Sequence, residues 1–282
     1  MISSRNQQPP RKNGMIWNLI TSSYGFMDRL SKQWWLYLVF TLIVFTPPLT
    51  STGFASINEI ESLAMYVSEI LIHNREILTP YMPISHIAVI VFLSFLVALG
   101  NIFGRVFSVI VGIQILFLMF LQASAVTPKF GWVIYTNGFI LISLMALTWF
   151  WEGIIRKTDF TFRKLTLKDS WIVLFALFAF WNPGELGNYS LELFLISTSP
   201  IALCMMMTIY LSLLCILYPR INIPMFRITS FIVILMSLVA ISLGFFFEIK
   251  SEGIYWIFLH LPLLIISVYG FQLGIRHRNL LV

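Results

Sequence analysis

The stretch KQWWLYLVFTLIVFTPP, residues 32–48, begins with a lysine, continues through two tryptophans into an apolar run, and ends at two prolines. A similar stretch, KDSWIVLFALFAFWNPG, recurs at residues 168–184. Lysine and tryptophan together are typical of the membrane–water boundary, where indole rings lie at the level of the lipid headgroups. Proline ends a helix because it lacks an amide hydrogen and clashes with the preceding turn. Each stretch therefore predicts a short transmembrane helix.

The composition of the whole chain also indicates a membrane protein. Its 282 residues are 59% hydrophobic and 11% charged, and the mean hydropathy is +0.88. A soluble domain carries about 25% charged residues, so that class is excluded. The apolar runs are continuous rather than alternating, which favours helices over barrel strands. Cys204 and Cys215 lie within one such run and are interpreted as packing residues.

We predict an all-α polytopic membrane protein with eight transmembrane helices and with both termini in the cytoplasm. The predicted helices cover residues 34–50, 83–101, 105–123, 131–151, 170–184, 197–218, 227–247 and 253–275. With this topology, the 18 Lys and Arg residues all lie on the cytoplasmic side except Arg75, Lys129 and Lys250. Such an excess is usual on the inner face of a membrane. The net charge of +6 is therefore assigned to topology and not to nucleic-acid binding, and the plasma membrane is the expected location.

The chain is predicted to contain a parallel 4+4 internal repeat. Aligning Lys32 with Lys168 also brings Trp35 opposite Trp171. Because four is an even number, both copies would enter the membrane from the same side. The predicted organisation is a cytoplasmic segment (1–33), a first four-helix unit (34–157), a basic cytoplasmic linker (158–169) and a second unit (170–282).

Two amphipathic helices are predicted outside the eight spans. Residues 15–30 place apolar side chains at helical spacing and predict a helix lying on the inner leaflet. Residues 57–71 predict an outer helix with an apolar face, which would lie on the surface or cap the bundle. The basic cytoplasmic loops are expected to attract anionic lipid.

Polar residues at membrane depth are functional candidates, and the predicted spans contain few of them. No Asp, Glu, Lys or Arg is predicted well inside any span. His86 and His260 are predicted in the outer half of the membrane. They would either ligate a haem or metal together, or form separate hydrogen bonds to neighbouring helices. Gln114 and Asn137 are predicted to form hydrogen bonds between helices, with substrate binding as the alternative.

The outer loop WNPGELGNYSLELF, residues 181–194, carries Glu185 and Glu192. This loop is interpreted as a solvated connection, and the alternative is that its two carboxylates bind a cation or a basic peptide. The sequence has no nucleophile elbow, no HExxH, no P-loop and no CxxC motif. These observations favour a protein without catalytic activity.

Two functions are consistent with these patterns. The first is a non-catalytic membrane protein, permease-like or a membrane subunit of a larger assembly with partner subunits, that handles an apolar or lipid-like ligand. The alternative is a membrane redox or enzyme subunit with a haem, metal or quinone site near His86 and His260. The sequence identifies no cofactor.

Overall fold

The computed structural model describes residues 14–51, 53–54, 60–128, 131–163, 165–183, 189–245 and 250–279. The protein is 79% helical. Its helices, in chain order, are α1 (Gly14–Leu30), α2 (Trp34–Ile43), α3 (Ile60–Leu78), α4 (Met82–Leu99), α5 (Asn101–Ala123), α6 (Thr136–Ile155), α7 (Ser170–Trp181), α8 (Leu193–Ile196), α9 (Leu203–Leu217), α10 (Ile223–Gly244) and α11 (Lys250–Asn279).

Five helical segments of the described chain are long and apolar enough to cross a membrane. They are Ala64–Leu99, Asn101–Ala123, Thr136–Ile155, Ile223–Gly244 and Trp256–Arg276. A sixth is counted if the bent pair Leu193–Ile201 and Leu203–Leu217 forms one span. The chain is therefore a multi-pass integral membrane protein. The helices α2 and α7 have only 10 and 12 residues, which is short for a full crossing.

The first predicted span ends earlier than expected, because α2 stops at Ile43 rather than at residue 50. The next three amide groups bond to carbonyls three residues back, so the helix tightens before it ends. Pro47 and Pro48 then prevent a further helical turn, since the residue before a proline is biased towards extended backbone. The chain continues into a strand.

A small antiparallel sheet closes this end of the molecule, which we call the sheet end. Its strands are β1 (Leu49–Thr50), β2 (Gly53–Phe54), β3 (Ser124–Thr127) and β4 (Gly131–Ile134), in the spatial order β2-β1-β4-β3. Thr50 lies opposite Val133, so the sheet joins the end of the first apolar stretch to the β3–β4 hairpin. The predicted fourth span, 131–151, is corrected accordingly: its first residues form β4, and its helix runs from Thr136 to Ile155.

Two antiparallel helix pairs, α5 with α6 and α10 with α11, form the packed centre of the bundle. Small residues let the helices approach closely, which is how membrane helices commonly associate. A Cβ atom on Gly112 would lie 2.9 Å from the ring of Phe150, and one on Gly274 would lie 2.7 Å from Cγ of Arg227. Both pairs therefore depend on glycine at the point of contact.

Polar contacts concentrate at the opposite end, which we call the polar end. There Asp159 accepts hydrogen bonds from Asn101 Nδ2 and Arg220 Nη1, both at 2.7 Å. The predicted inner-leaflet helix is confirmed as a helix, α1, and it packs against α6 and α10. Asp28 of α1 lies 3.4 Å from Nη1 of the buried Arg227. The segments assigned to the cytoplasmic side by their charge thus contact one another.

Where the outer amphipathic helix was predicted, the structure has a helix from residue 60 onwards that is longer than expected. It is α3, and it buries Ala64, Val67 and Ile70 against the bundle. Residues 57–59 of the predicted helix lie outside the described residues. A single turn of 3-10 helix, Thr79–Tyr81, connects α3 to α4.

Candidate functional site: a cavity beside a broken helix

The sixth predicted span, 197–218, is not continuous. The segment that contains α8 and the 3-10 turn Ser199–Ile201 meets α9 at an angle of 93°. Ala202 between them has extended backbone, with φ −94° and ψ 114°. Pro200 explains the break, because proline starts a helical turn readily but removes a backbone donor from a longer helix. The expectation of one unbroken helix was wrong.

A break in an apolar helix leaves peptide groups without their usual partners, and other parts of the protein must supply them. Gln122 of α5 does so on both sides of the break. Its Nε2 donates to the carbonyl of Ile201 at 3.0 Å, and its Oε1 accepts from the amide of Leu203 at 3.1 Å. One side-chain amide therefore replaces the peptide partners that the break removed.

A second glutamine on the same helix supports the same region. Gln114 Nε2 donates to the carbonyl of Pro200 at 3.3 Å, and Gln114 Oε1 accepts from the hydroxyl of Tyr210 on α9. The prediction that Gln114 forms hydrogen bonds between helices is confirmed. Together Gln114 and Gln122 form the amide clamp, which fixes the break against α5.

A cavity of about 1140 Å³ lies next to the break. Its walls include residues of α3, residues on both sides of the break, and residues of α10 and α11. Most of the lining is apolar, and four methionines contribute flexible thioethers: Met145, Met205, Met207 and Met236. Small-molecule sites typically measure about 300 to 1,000 Å³ and combine apolar walls with a few polar groups. The cavity is thus large enough for a lipid-like molecule.

The polar groups of the cavity are mostly uncharged. Gln122, Asn182, Thr198 and His260 contribute amide, hydroxyl and imidazole groups. Charged residues reach the lining only from α3 among the described residues, through Arg75 and Glu76. Hydrogen-bonding groups of this kind suit a neutral polar head better than an ionised one.

His260 lies in this cavity, but His86 does not belong to the described part of its lining. Nδ1 of His260 donates to the carbonyl of Trp256 at 2.7 Å, and Nε2 has no hydrogen-bond partner among the described residues. With its proton on Nδ1, the neutral ring keeps Nε2 as an acceptor. A ligand hydroxyl in the cavity could donate to this nitrogen.

His86 uses both ring nitrogens within the protein. Nδ1 donates to the carbonyl of Met82, and Nε2 lies 3.0 Å from the hydroxyl of Ser197, just before the break. Binding a metal would require one of these hydrogen bonds to be given up. No group of three or more His, Cys, Asp or Glu residues that could hold a metal ion occurs in the described part of the chain. The structure does not bring the two histidines to a common site.

The remaining sequence candidates lie away from the cavity or outside the described residues. Asn137 Nδ2 donates to the carbonyl of Val44 at 2.7 Å, so it satisfies the end of α2 and forms the predicted bond between helices. Glu192 is exposed at the start of α8, and Glu185 lies outside the described residues. Glu192 therefore does not belong to the described lining of the cavity.

One buried carboxylate lies directly after the fourth predicted span, near the end of α6. Glu152 lies inside α6 and is 1% exposed. Its Oε1 accepts from the amide of Thr158 at 2.7 Å, and its Oε2 accepts from Asn222 Nδ2 at 2.6 Å. The predicted span ended at residue 151 because tryptophans mark its boundary, whereas α6 continues to Ile155.

Comparison of the chain with protein-family models, with curated proteins and with solved structures finds no match. The functional conclusions therefore depend on the cavity, the break and the charges of this chain.

Proposed function

We propose that this chain is a non-catalytic integral membrane protein, a permease-like unit or the membrane subunit of a larger assembly. Its ligand is apolar or lipid-like, has a neutral polar head, and binds in the cavity beside the break. The observation that carries this proposal is the cavity itself: about 1140 Å³, mainly apolar, and bordered by a break in an apolar helix. Discontinuous helices recur at the binding sites of membrane transporters.

The ligand would place its polar head at the break and its apolar body among the methionines. Thioether side chains adapt to irregular apolar shapes, which suits a ligand with flexible chains. The groups around the break are largely uncharged, and Nε2 of His260 offers an acceptor. Few charged groups reach the lining, which favours a neutral lipid such as a diacylglycerol over a fatty acid.

A bulky residue in the cavity tests this function. Ala240 lines the cavity from α10, whereas Ala98 is exposed on α4, so tryptophan at each position adds the same ring in different surroundings. We expect Ala240→Trp to weaken binding of a fluorescent diacylglycerol at least tenfold and Ala98→Trp to leave it unchanged. Equal binding by wild type and Ala240→Trp would refute the cavity as the site.

The proposal includes eight membrane crossings, a cytoplasmic polar end and residence in the plasma membrane. Support comes from the two ends of the molecule: successive apolar segments alternate between the polar end, rich in Lys and Arg, and the sheet end.

Leu167 is 94% exposed, and Tyr189 is 73% exposed. In a background with Cys204 and Cys215 replaced by alanine, Tyr189→Cys should react with an impermeant maleimide in intact cells. Leu167→Cys should react only after permeabilisation, and the reverse pattern would overturn the orientation.

The alternative of a redox subunit makes a different prediction for the same purified protein. A haem would give a visible absorption band, and a bound metal would be detected by elemental analysis. We expect neither at stoichiometric level, because His86 has both ring nitrogens occupied. An absorption band lost on His260→Ala would favour the redox function instead.

A further inference from the structure

A second cavity, of about 280 Å³, lies at the polar end, where α5 begins and α6 ends. None of the described residues around it lines the cavity at the break. Its lining contains three cations, Arg105, Arg156 and Lys157, and two carboxylates, Glu152 and Asp159. We call it the basic pocket.

Both carboxylates of the basic pocket are already occupied. Asp159 accepts hydrogen bonds from Asn101 and Arg220, and the amide of Thr161 donates to it at 3.0 Å. The hydrogen bonds from Thr161, with those from Asn101 and the charge of Arg220, lower the pKa of Asp159 well below its usual range. Each oxygen of Glu152 accepts a hydrogen bond as well. Neither carboxylate forms an ion pair with the three lining cations.

The cations, in contrast, keep their charges available. The guanidinium groups of Arg105 and Arg156 form no hydrogen bond or ion pair with any other residue that the structure describes, and both side chains are exposed. Nζ of Lys157 lies 4.7 Å from the centre of the Tyr24 ring, a contact that leaves its three donors free. Because Asp159 is paired with Arg220, the three cations face one other carboxylate, Glu152, and the basic pocket presents a net positive charge to an incoming anion.

The backbone around the basic pocket is fixed in place. A Cβ atom on Gly104 would lie 2.4 Å from Cδ2 of Phe160, so only glycine lets residues 158–161 approach α5 this closely. Asn101 Oδ1 accepts from the amide of Phe160 at 2.6 Å and ties the same two segments together. Arg156 has a φ of 56°, a left-handed conformation that residues other than glycine seldom adopt, and it ends α6 beside the pocket.

The basic pocket also lies at a suitable depth for a lipid headgroup. Tyr24 of α1 stacks on Trp151 with ring centres 6.1 Å apart, and tryptophan is enriched at the level of the headgroups. Basic pockets between membrane helices bind the phosphate groups of anionic lipids. We infer that the basic pocket binds a phosphate group, with Arg105, Arg156 and Lys157 supplying the charge.

The experiment compares three probes on the purified full-length protein by calorimetric titration. Dioctanoyl phosphatidic acid carries the phosphate and two short chains, dioctanoylglycerol carries the chains alone, and inorganic phosphate carries neither chain. The pocket variant is Arg105→Gln with Arg156→Gln. The matched control is Arg163→Gln with Arg276→Gln, which removes the same charge from exposed sites outside the pocket.

We expect the pocket variant to bind dioctanoyl phosphatidic acid roughly 25-fold more weakly, because it removes two basic residues that each contribute to the attraction of an anionic headgroup. The control variant should bind it as the wild type does, and dioctanoylglycerol should be unaffected by either variant. Competition by inorganic phosphate alone would identify a soluble phosphate as the source and support the pocket. Equal weakening in pocket and control variants would mean diffuse surface attraction and would overturn the inference.

A failure of this experiment is distinct from a failure of the proposed function. Binding of the neutral diacylglycerol depends on the cavity at the break, and binding of phosphate depends on the polar end. Each variant therefore serves as a control for the other site.

Discussion

Replacing Gln122 with leucine removes both hydrogen bonds that Gln122 makes across the helix break, while keeping a side chain of similar size. The carbonyl of Ile201 and the amide of Leu203 then lose the partners that they have at 3.0 and 3.1 Å. An unsatisfied buried peptide group costs about 1 to 3 kcal/mol. Hydrogen bonds between membrane helices contribute less, about 0.6 kcal/mol on average. We therefore expect a loss of about 2 kcal/mol for the two groups together.

The loss should be local, because the break lies at one end of α9. Cys204 follows directly after Leu203, and Cys215 lies near the other end of the same helix. A local opening at the break exposes the thiol of Cys204 but leaves that of Cys215 buried. A cost of about 2 kcal/mol corresponds to roughly 25-fold more opening, since 1.4 kcal/mol is a factor of ten.

The assay is the rate at which a thiol-reactive fluorophore labels single-cysteine proteins below the melting temperature. In a Cys215→Ala background, Gln122→Leu should raise the labelling rate of Cys204 roughly 25-fold. In a Cys204→Ala background, the same substitution should leave the labelling rate of Cys215 nearly unchanged. The matched control is Gln272→Leu, which makes the same replacement at an exposed position of α11.

Two results would refute this reasoning. If Gln122→Leu and Gln272→Leu give the same labelling rate at Cys204, the amide clamp does not hold the break. If Gln122→Leu accelerates both cysteines equally, the whole helix opens and the break is not a separate unit. Gln122→Glu adds a third comparison, because it keeps the acceptor for the amide of Leu203 but loses the donor to the carbonyl of Ile201. Its labelling rate at Cys204 should be at least intermediate between those of the wild type and Gln122→Leu.

Two further predictions concern packing and charge. Gly153→Ala would place a Cβ atom 2.7 Å from Cγ2 of Val109, so we expect it to destabilise the protein by about 1 to 3 kcal/mol. Gly25→Ala, with nothing within 4 Å, should instead stabilise α1 by up to about 1 kcal/mol, and thermal unfolding in detergent separates the two signs. Asp159→Asn should lower the free energy of unfolding at neutral pH by less than about 1 kcal/mol, because this ion pair is partly exposed. The pKa of Asp159 is lowered in the folded state, so its carboxylate stabilises the protein above the unfolded pKa of about 4. This stabilisation is lost as the pH falls further. The melting temperatures of wild type and variant should therefore converge in acid.

The hydropathy of the sequence was sufficient to predict a helical multi-pass membrane protein. Long apolar runs require helices, because only helices satisfy their own peptide groups in lipid. The role of Gln114 was also predictable, since an amide in the middle of an apolar helix needs a partner on a neighbouring helix. The eight crossings, the internal repeat and the cytoplasmic termini stay predictions.

Other features could not be predicted because their causes are tertiary. Strands of two to four residues between apolar runs carry no periodicity, so the sheet gave no signal. Gln122 lies near the end of its apolar run, where glutamine is unremarkable, and its importance depends on the break that it satisfies. Glu152 follows Trp151 directly, and the aromatic boundary concealed that its helix continues. One helix was expected over residues 197–218, and the sequence alone did not indicate that a second helix starts at Leu203.

The two ends of the molecule are held by different kinds of interaction, and this difference indicates which end a ligand can open. The polar end combines the Asp159–Arg220 ion pair, the fully bonded carboxylate of Glu152 and the contact of Asp28 with buried Arg227. Truncating a buried member such as Glu152 or Arg227 is costly, because its buried partners are left unpaired. The break beside the large cavity near the sheet end is held by the neutral hydrogen bonds of Gln114 and Gln122. Local opening follows the least stable contacts. A lipid-like ligand should therefore enter at the sheet end, through the break between α8 and α9, while the polar end stays closed.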